Sequence, residues 1–455
     1  MGDYLLAVDL QLILDEGQHD AVREFFEDHH PATIAEILKD IDIERGDAIL
    51  LMLDPRLRAE TLSYFDRQRQ VETMESLDPV EAAKILQYMP HDDRADLVNS
   101  LDEDKAEPIL RRLAHAERED ILRLTQYEPG TAGAVMTTDY ATLAPHLTVR
   151  EAIERLRHEA PDRETIDYSY VLDHRRKLLG IVSLKQLIIE RSQTRIESIM
   201  QGDFIRATVD EDQEEVARKI AQYDLLAIPV VDEHEKLLGI VTHDDAMDIL
   251  REEQAEDLLA FGGVSAPSGD GDPNYWQVTI VNVARQRLIW LLPLFLSGTL
   301  TSWVVGSYDW LQKMLPELVV FVPLLIGTGG NAGSQTVGTI IRGLALGEIQ
   351  FRDARWVLLR ESFTGVLLGA LLGILGFFYV WLWKAMSLPF AGVIAVTVLG
   401  ICLWANSVGA LVPLLARRLG WDPAHVSAPL ISTLVDVTGL FIYYSIAILV
   451  LVRLA

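Results

Sequence analysis

The chain has 455 residues, a formal net charge of −27 and one cysteine, Cys402, so it is too long for one compact core and can hold neither an intramolecular disulfide nor a multi-cysteine metal site. Only seven acidic and eleven basic residues lie from Tyr275 onward, which leaves 60 acidic and 29 basic before it, a net of −31 for the first 274 residues. A surface of that sign repels nucleic acid and attracts cations, which argues against DNA or RNA as a partner.

The opening MGDYLLAVDLQLILDEG has no basic segment and carries Asp3, Asp9 and Asp15, so no secretory signal is expected and the N-terminus is expected in the cytosol. An apolar residue followed by Asp then recurs every twelve residues: Ile41-Asp42, Leu53-Asp54, Phe65-Asp66, Leu77-Asp78 and Leu101-Asp102, with Met89-Pro90 in the remaining slot. Such a period predicts an internal repeat of short stacked helices over about 20–130. Pro55 and Pro79 follow two of the Asp residues, which suits Asp as helix N-cap and Pro as first helical residue.

A second repeat, Lys177-Leu-Leu-Gly180-Ile-Val-Ser183 and Lys236-Leu-Leu-Gly239-Ile-Val-Thr242, has its copies 59 residues apart. In each copy a helical pattern (149–158 and 213–223) precedes a strand (168–172 and 227–231), then the glycine turn, then another helix. This order resembles a tandem pair of CBS domains over about 137–250. The resemblance implies an adenine nucleotide such as ATP as ligand, held by a Ser/Thr-x-x-Asp after the glycine strand. Thr242 and Asp245 supply that motif in the second copy, whereas the first reads Ser183-Leu-Lys-Gln186 and lacks the carboxylate. The segment 244–261, DDAMDILREEQAEDLLAF, has helical spacing with a carboxylate face and runs into the breaker-rich SAPSGDGDPN.

Beyond Tyr275 the composition turns apolar, with runs at 288–308, 318–341, 362–383 and 385–416 that can each cross a bilayer, and a fifth at 423–452 interrupted by His425 and Asp436. Connections after the second and fourth runs carry Arg342, Arg352, Arg355, Arg360, Arg417 and Arg418, against Lys313 and Lys384 after the first and third. The positive-inside rule then places the N-terminus in the cytosol and the C-terminus outside.

A carboxylate inside a span costs roughly 2.5–3.5 kcal/mol, so Asp436 needs a partner. No basic residue lies in the spans, and Ser432, Thr433 and Pro429 share its face. A cation would supply that partner; a protonated Asp436 bonded between helices is the alternative. The second run contains Pro323-Leu-Leu-Ile-Gly327-Thr328-Gly329-Gly330-Asn331-Ala332-Gly333-Ser334-Gln335-Thr336, in which Thr328, Asn331 and Gln335 fall on one helical face. Its glycines permit close backbone approach or a helix break, and Gly329-xxx-Gly333 is also a helix-packing pattern. Hydrated Mg²⁺ is held by one or two carboxylates plus oxygen dipoles, so one Asp per chain, doubled across a two-fold axis, would balance it; Mn²⁺ and Ca²⁺ are not separated on this ground. No nucleophile motif or Lys-bearing phosphate loop is present, so no enzyme is expected.

The stretch PLLIGTGGNAGSQT, with Asp422-Pro-Ala424, Ser427, Pro429, Thr433 and Asp436, resembles the membrane signature of MgtE magnesium channels. The order of elements resembles that family too, and gives a multidomain expectation. It comprises an all-α helical superhelix (1–136), an α/β tandem CBS pair (137–248), an acidic connecting helix and linker (249–274) and a five-helix transmembrane domain (275–455). The resemblance implies a homodimeric, Mg²⁺-selective channel importing magnesium across the inner membrane as a multi-pass protein in the lipid bilayer. Its pore would be lined by the second and fifth spans, with Asp436 at the selectivity position beside Asn331, Gly327 and Thr433. Intracellular Mg²⁺ would close it at Glu60, Asp92 and Asp96, at Asp212, Glu214, Asp224, Asp245 and Asp248, and at Glu256 and Asp257. Ala428 stands where relatives carry Asn. A secondary cation exchanger using Asp436 as an alternating-access site is the competing expectation.

Overall fold

The structure, a computed structural model, describes residues 23–26, 29–39, 41–160, 164–265 and 278–452. Asp3, Asp9 and Asp15, and all of the expected linker after Ser265, lie outside the described residues. The chain divides into two compact units, with the boundary between Glu253 and Gln254 inside one helix.

In the first unit each twelve-residue repeat becomes one short helix. Helices α1 (Pro31–Lys39), α2 (Ile43–Met52), α3 (Pro55–Ser63), α4 (Arg67–Ser76), α5 (Pro79–Tyr88), α6 (His91–Ser100), α7 (Glu103–Leu110) and α8 (His115–Leu124) follow in order. Asp54, Asp66 and Asp78 cap three of them by accepting backbone N–H bonds from Arg56, Arg69 and Val80. Apolar members of the repeat, Ile41, Leu53, Phe65, Met89 and Leu101, are buried in one core. The repeat carries a second device at the other helix end. Arg58 is buried and donates to the carbonyls of Leu50, Leu51 and Leu53 at 3.1, 2.6 and 3.1 Å. Twelve residues on, Gln70 Nε2 donates in the same way to Leu62, Ser63 and Phe65. Both side chains satisfy carbonyls that a helix C-terminus leaves without partners.

The glycine repeat builds two three-stranded sheets. One contains β1 (Tyr140–Leu143), β2 (Thr165–Leu172) and β3 (Leu178–Ser183), the other β4 (Ala207–Thr208), β5 (Ala227–Val231) and β6 (Leu237–Thr242), in those orders. In each sheet the first pair is parallel and the second antiparallel, with Gly180 opposite Val171 and Gly239 opposite Val230. The expected glycine turns are strand positions instead: a Cβ at Gly180 in β3 or Gly239 in β6 would stand 2.8 Å from the carbonyl oxygen of Gln201 or Thr137, which is why both strands carry a glycine there. Helices α9 (Val149–Glu159) and α11 (Gln213–Gln222) cover the sheets, and α10 (Leu184–Ile189) follows β3. The turns that lead into β3 and β6 meet each other: Leu178 N–H donates to Glu235 and Leu237 N–H to Arg176. Helix α12 (His243–Phe261) starts directly where β6 ends, so the acidic helix and the last CBS helix are one element.

The second unit holds α13 (Ile280–Ser307), the short α14 (Asp309–Met314), α15 (Glu317–Ala345), α16 (Ala354–Phe378), α17 (Leu388–Arg418) and α18 (Ala428–Ala447). Four stretches, Ile280–Ser307, Phe351–Trp383, Leu388–Arg418 and Ala428–Val452, are long and apolar enough to cross a membrane. Of the five expected spans, the second is the one outside this set. Helix α15 has 29 residues, but the glycines and the Thr, Asn, Ser and Gln side chains in its middle dilute its apolarity. Helix α17 is the central element, flanked by α15, α16 and α18. Gly365, Gly369 and Gly373 let α16 approach it so closely that added Cβ atoms would stand 2.7, 2.7 and 2.8 Å from α17 backbone.

Candidate functional site

Within the first unit a cavity of about 930 Å³ opens between the helical repeats and the CBS pair. Its carboxylates come from separate stretches of chain: Glu60 from α3, Asp92 and Asp93 from α6, Glu117 from α8, Asp139 and Glu164 from the first CBS copy, and Asp244, Asp245 and Asp248 from the start of α12. Arg94 and His91 are the basic side chains nearest to Asp92 in sequence that face the same cavity.

Crowding makes ionisation costly here. Burial, followed by the charges of Asp245, Asp93 and Glu164, pushes the Asp92 carboxyl well above the usual carboxylate range, and its Oδ1 has no hydrogen-bond partner among the described residues. Burial and the charges of Asp245, Asp244, Asp139 and Asp93 push Glu164 up to about 7. Asp245 is pushed up to about 6, first by burial, although the Thr242 hydroxyl donates to its Oδ2 at 2.5 Å. Asp93 is also raised by burial, against Ser63 and Arg67, which lower it. Beside His91 the balance reverses. Burial opposes ionisation of Asp120, but His91 Nδ1 at 2.6 Å and the Thr138 hydroxyl at 2.8 Å hold its carboxyl below the usual range.

Of the expected regulatory residues, Glu60, Asp92, Asp245 and Asp248 line this cavity. Asp96 does not line it and lies 3.4 Å from Arg67. Asp212 caps α11 through the N–H groups of Glu214 and Glu215, Glu214 pairs with Arg218, and Asp224 takes a left-handed turn (φ 51°) just after that helix. Glu256 and Asp257 lie on the part of α12 assigned to the second unit. Sequence reasoning missed Asp93, Glu117, Asp139, Glu164 and Asp244. The Asp92-Asp93 and Asp244-Asp245 doublets were a signal for two of them, whereas nothing local marks Glu164 or Asp139. Among the described residues no three His, Cys, Asp or Glu side chains are close enough to ligate one bare ion. For the nucleotide expectation, Thr242 and Asp245 are joined, while in the first copy Ser183 and Gln186 bond each other as a helix cap and leave no carboxylate there.

In the second unit, Asp436 sits mid-way along α18, and its Oδ1 is buried without a hydrogen-bond partner among the described residues. Gly330 of α15 faces it: a Cβ there would come within 3.6 Å of that Oδ1 and collide with the Ser432 hydroxyl. Helix α15 runs unbroken through its glycines, so close approach rather than a break is what they provide. Gly329 and Gly333 pack against Val435 and Ile431 or Ile401, while Gly327, Asn331 and Gln335, each four residues apart, remain exposed on a different face. Packing and a polar face thus coexist on one helix. The Thr433 hydroxyl donates to Pro429 O at 2.9 Å, along its own helix.

Helical repeats, a CBS pair and a bundle of long apolar helices define a multi-pass membrane protein with a large acidic hydrophilic portion. The model described as MgtE, a divalent cation transporter, matches residues 322–446; the MgtE intracellular N domain matches 29–130, and the CBS domain matches 132–192 and 196–252. Over 330 residues, 72% of each chain, the sequence is 43% identical to the magnesium transporter MgtE of Thermus thermophilus. It is 38% identical over 327 residues to that of Enterococcus faecalis, covering 72% of this chain and 70% of the relative. Two solved structures superpose with a TM-score of 0.52 each. The soluble part of a magnesium transporter is 33% identical and covers 55% of this chain and 98% of its own. The cytosolic domain of the Mg²⁺ channel MgtE in complex with ATP is 36% identical and covers 53% and 99%. The chain belongs to the MgtE family.

Proposed function

We propose that this protein is a homodimeric Mg²⁺ channel of the inner membrane, with its N-terminus in the cytosol, closed when cytosolic Mg²⁺ occupies the acidic cavity. The observation that carries the reading is the buried Asp436 oxygen without a hydrogen-bond partner among the described residues, facing Gly330 of a helix, α15, that also carries the exposed Gly327–Asn331–Gln335 face. A polar face and a lone carboxylate are costly against lipid and favourable against a hydrated cation in a lumen, and a second copy across a two-fold axis would enclose that lumen. Asp436 would accept hydrogen bonds from water on the ion, with the Asn331 amide adding a second dipole.

Closure follows from the cavity's electrostatics. Asp92, Glu164 and Asp245 repel one another when ionised, so a divalent cation there favours the arrangement that gathers them. The division at residues 136, 248 and 274 into helical domain, CBS pair, connecting segment and membrane domain is part of this proposal. So is ATP as a ligand of the second CBS copy at Thr242 and Asp245, supported by the ATP complex of the related cytosolic domain.

Purified protein in liposomes tests the channel reading, with Mg²⁺ flux compared between wild type and Asp436→Ala at low and high Mg²⁺ on the cytosolic side. Flux that requires Asp436 and falls at high cytosolic Mg²⁺ is expected. Flux indifferent to Asp436 removes the pore assignment, and flux coupled at fixed stoichiometry to Na⁺ or H⁺ favours an exchanger.

A further inference from the structure

We propose that Asn406, on the central helix α17, is a positioning residue that sets the rotation of α15 and so aims its polar face into the ion path; this rests on the pore reading above. Asn406 and Thr336 are both buried, at 2% and 4% exposure, and with Thr397 and Ser427 they are the buried polar side chains among the described residues of this unit. The Thr336 hydroxyl lies 2.6 Å from Asn406 Oδ1, and Asn406 Nδ2 donates to Cys402 O at 2.8 Å, so the amide is oriented by its own helix before it accepts from α15. The backbones close in at the same level: a Cβ at Gly409 would stand 2.8 Å from Gly333 O and 3.1 Å from Thr336 Cβ.

Helical geometry makes this contact directional. Thr336 is five residues past Asn331, which places the two side chains roughly 140° apart around the axis. Holding Thr336 against α17 therefore turns Asn331 and Gln335 away from the bundle, where both are exposed. Van der Waals contacts along a glycine-rich helix tolerate small rotations, because glycine presents no knob to lock into a neighbouring groove. A directional bond between two buried polar groups does not. Thr336 also has Ala332 O within 3.2 Å, so losing Asn406 leaves its hydroxyl with a partner on its own helix. Asn406→Leu should accordingly preserve the fold and release only the orientation.

The test uses the full chain in liposomes, with a cysteine at Asn331 or Gln335 in a Cys402→Ala background, and measures labelling by a water-soluble thiosulfonate. A side-chain hydrogen bond within a membrane biases an orientation about threefold, and by at most about twentyfold. Labelling at both positions is expected to slow by that factor on Asn406→Leu, and equally on Thr336→Val, with no further loss in the double variant and with thermal unfolding unchanged. The Mg²⁺ over Ca²⁺ flux ratio should fall in parallel. Unchanged labelling in both variants overturns the inference, as does slowing that tracks a loss of thermal stability, or additive effects of the two changes. If the Asn331→Cys and Gln335→Cys proteins label as expected but the wild-type chain passes no Mg²⁺, the pore reading fails while the positioning role stands.

Discussion

Replacing Asp245 by Asn removes one charge from the acidic cavity without changing side-chain shape. Asp245 is largely buried, and its carboxyl is raised from 3.8 to about 6, by burial first and then by the charges of Asp244 and Asp93. An acid whose pKa is raised in the folded state stabilises that state only below its unfolded value, and the contribution is lost as pH rises through the folded value. Here the loss runs between about 4 and 6 and is complete above it. Two pKa units correspond to about 3 kcal/mol, so at pH 7.5 in chelator Asp245→Asn should stabilise the closed arrangement of helices α6 and α12 by about that amount. The Thr242 hydroxyl can still donate to the Asn oxygen. Amide hydrogen exchange of the full-length protein over 91–100 and 243–253 reads this directly, and about 3 kcal/mol corresponds to exchange slowed by roughly a hundredfold. The gap should shrink toward nothing by pH 4, and millimolar Mg²⁺ should narrow it at pH 7.5 by protecting wild type more than the variant. Exchange that is faster in the variant at pH 7.5, or a difference that does not change with pH, would refute the reasoning.

Asp120 should behave in the opposite sense. Its carboxyl is held below the usual range by His91 and Thr138, so its contribution is present above the unfolded value near 3.8 and is lost as pH falls below it. Asp120→Asn should therefore speed exchange in α8 at pH 7, by the equivalent of about 1–3 kcal/mol, and by progressively less toward pH 3. Gly330→Ala should destabilise the membrane unit by about 1–3 kcal/mol, because the new methyl meets the Ser432 hydroxyl, and should abolish flux by displacing Asp436. Eight of the nine tryptophans, Trp290 to Trp421, lie in that unit, so tryptophan fluorescence follows chiefly its unfolding.

Period and composition carried the architecture. The twelve-residue spacing predicts one helix per repeat because an N-cap, a buried apolar residue and a helix length are local requirements, and α2 to α6 take that form. The Gly-Ile-Val repeat was equally visible, but the reason for its glycine is tertiary: the backbone that leaves no room for a Cβ belongs to Gln201 and Thr137, 21 and 102 positions away. Asp436 was visible because a lone carboxylate in an apolar run is costly wherever the run folds. Convergence was not visible. The family resemblance implies an ion at both Asp92 and Asp96, yet Asp92 lines the cavity with Asp93, Glu164 and Asp245 while Asp96, on the same helix, lies beside Arg67. Glu164 and Asp139 reach the cavity only because parallel pairing of β1 with β2 brings the two chain segments side by side. Likewise Arg58 and Gln70 look in sequence like exposed helix positions, and the stacking of the repeats turns them onto the carbonyls of the preceding helix. Local chemistry thus determined which elements form and where a charge is expensive. Which charges share a cavity, and which face of α15 is left exposed, depended on tertiary contacts such as that of Thr336 with Asn406, seventy positions apart, that no sequence period records.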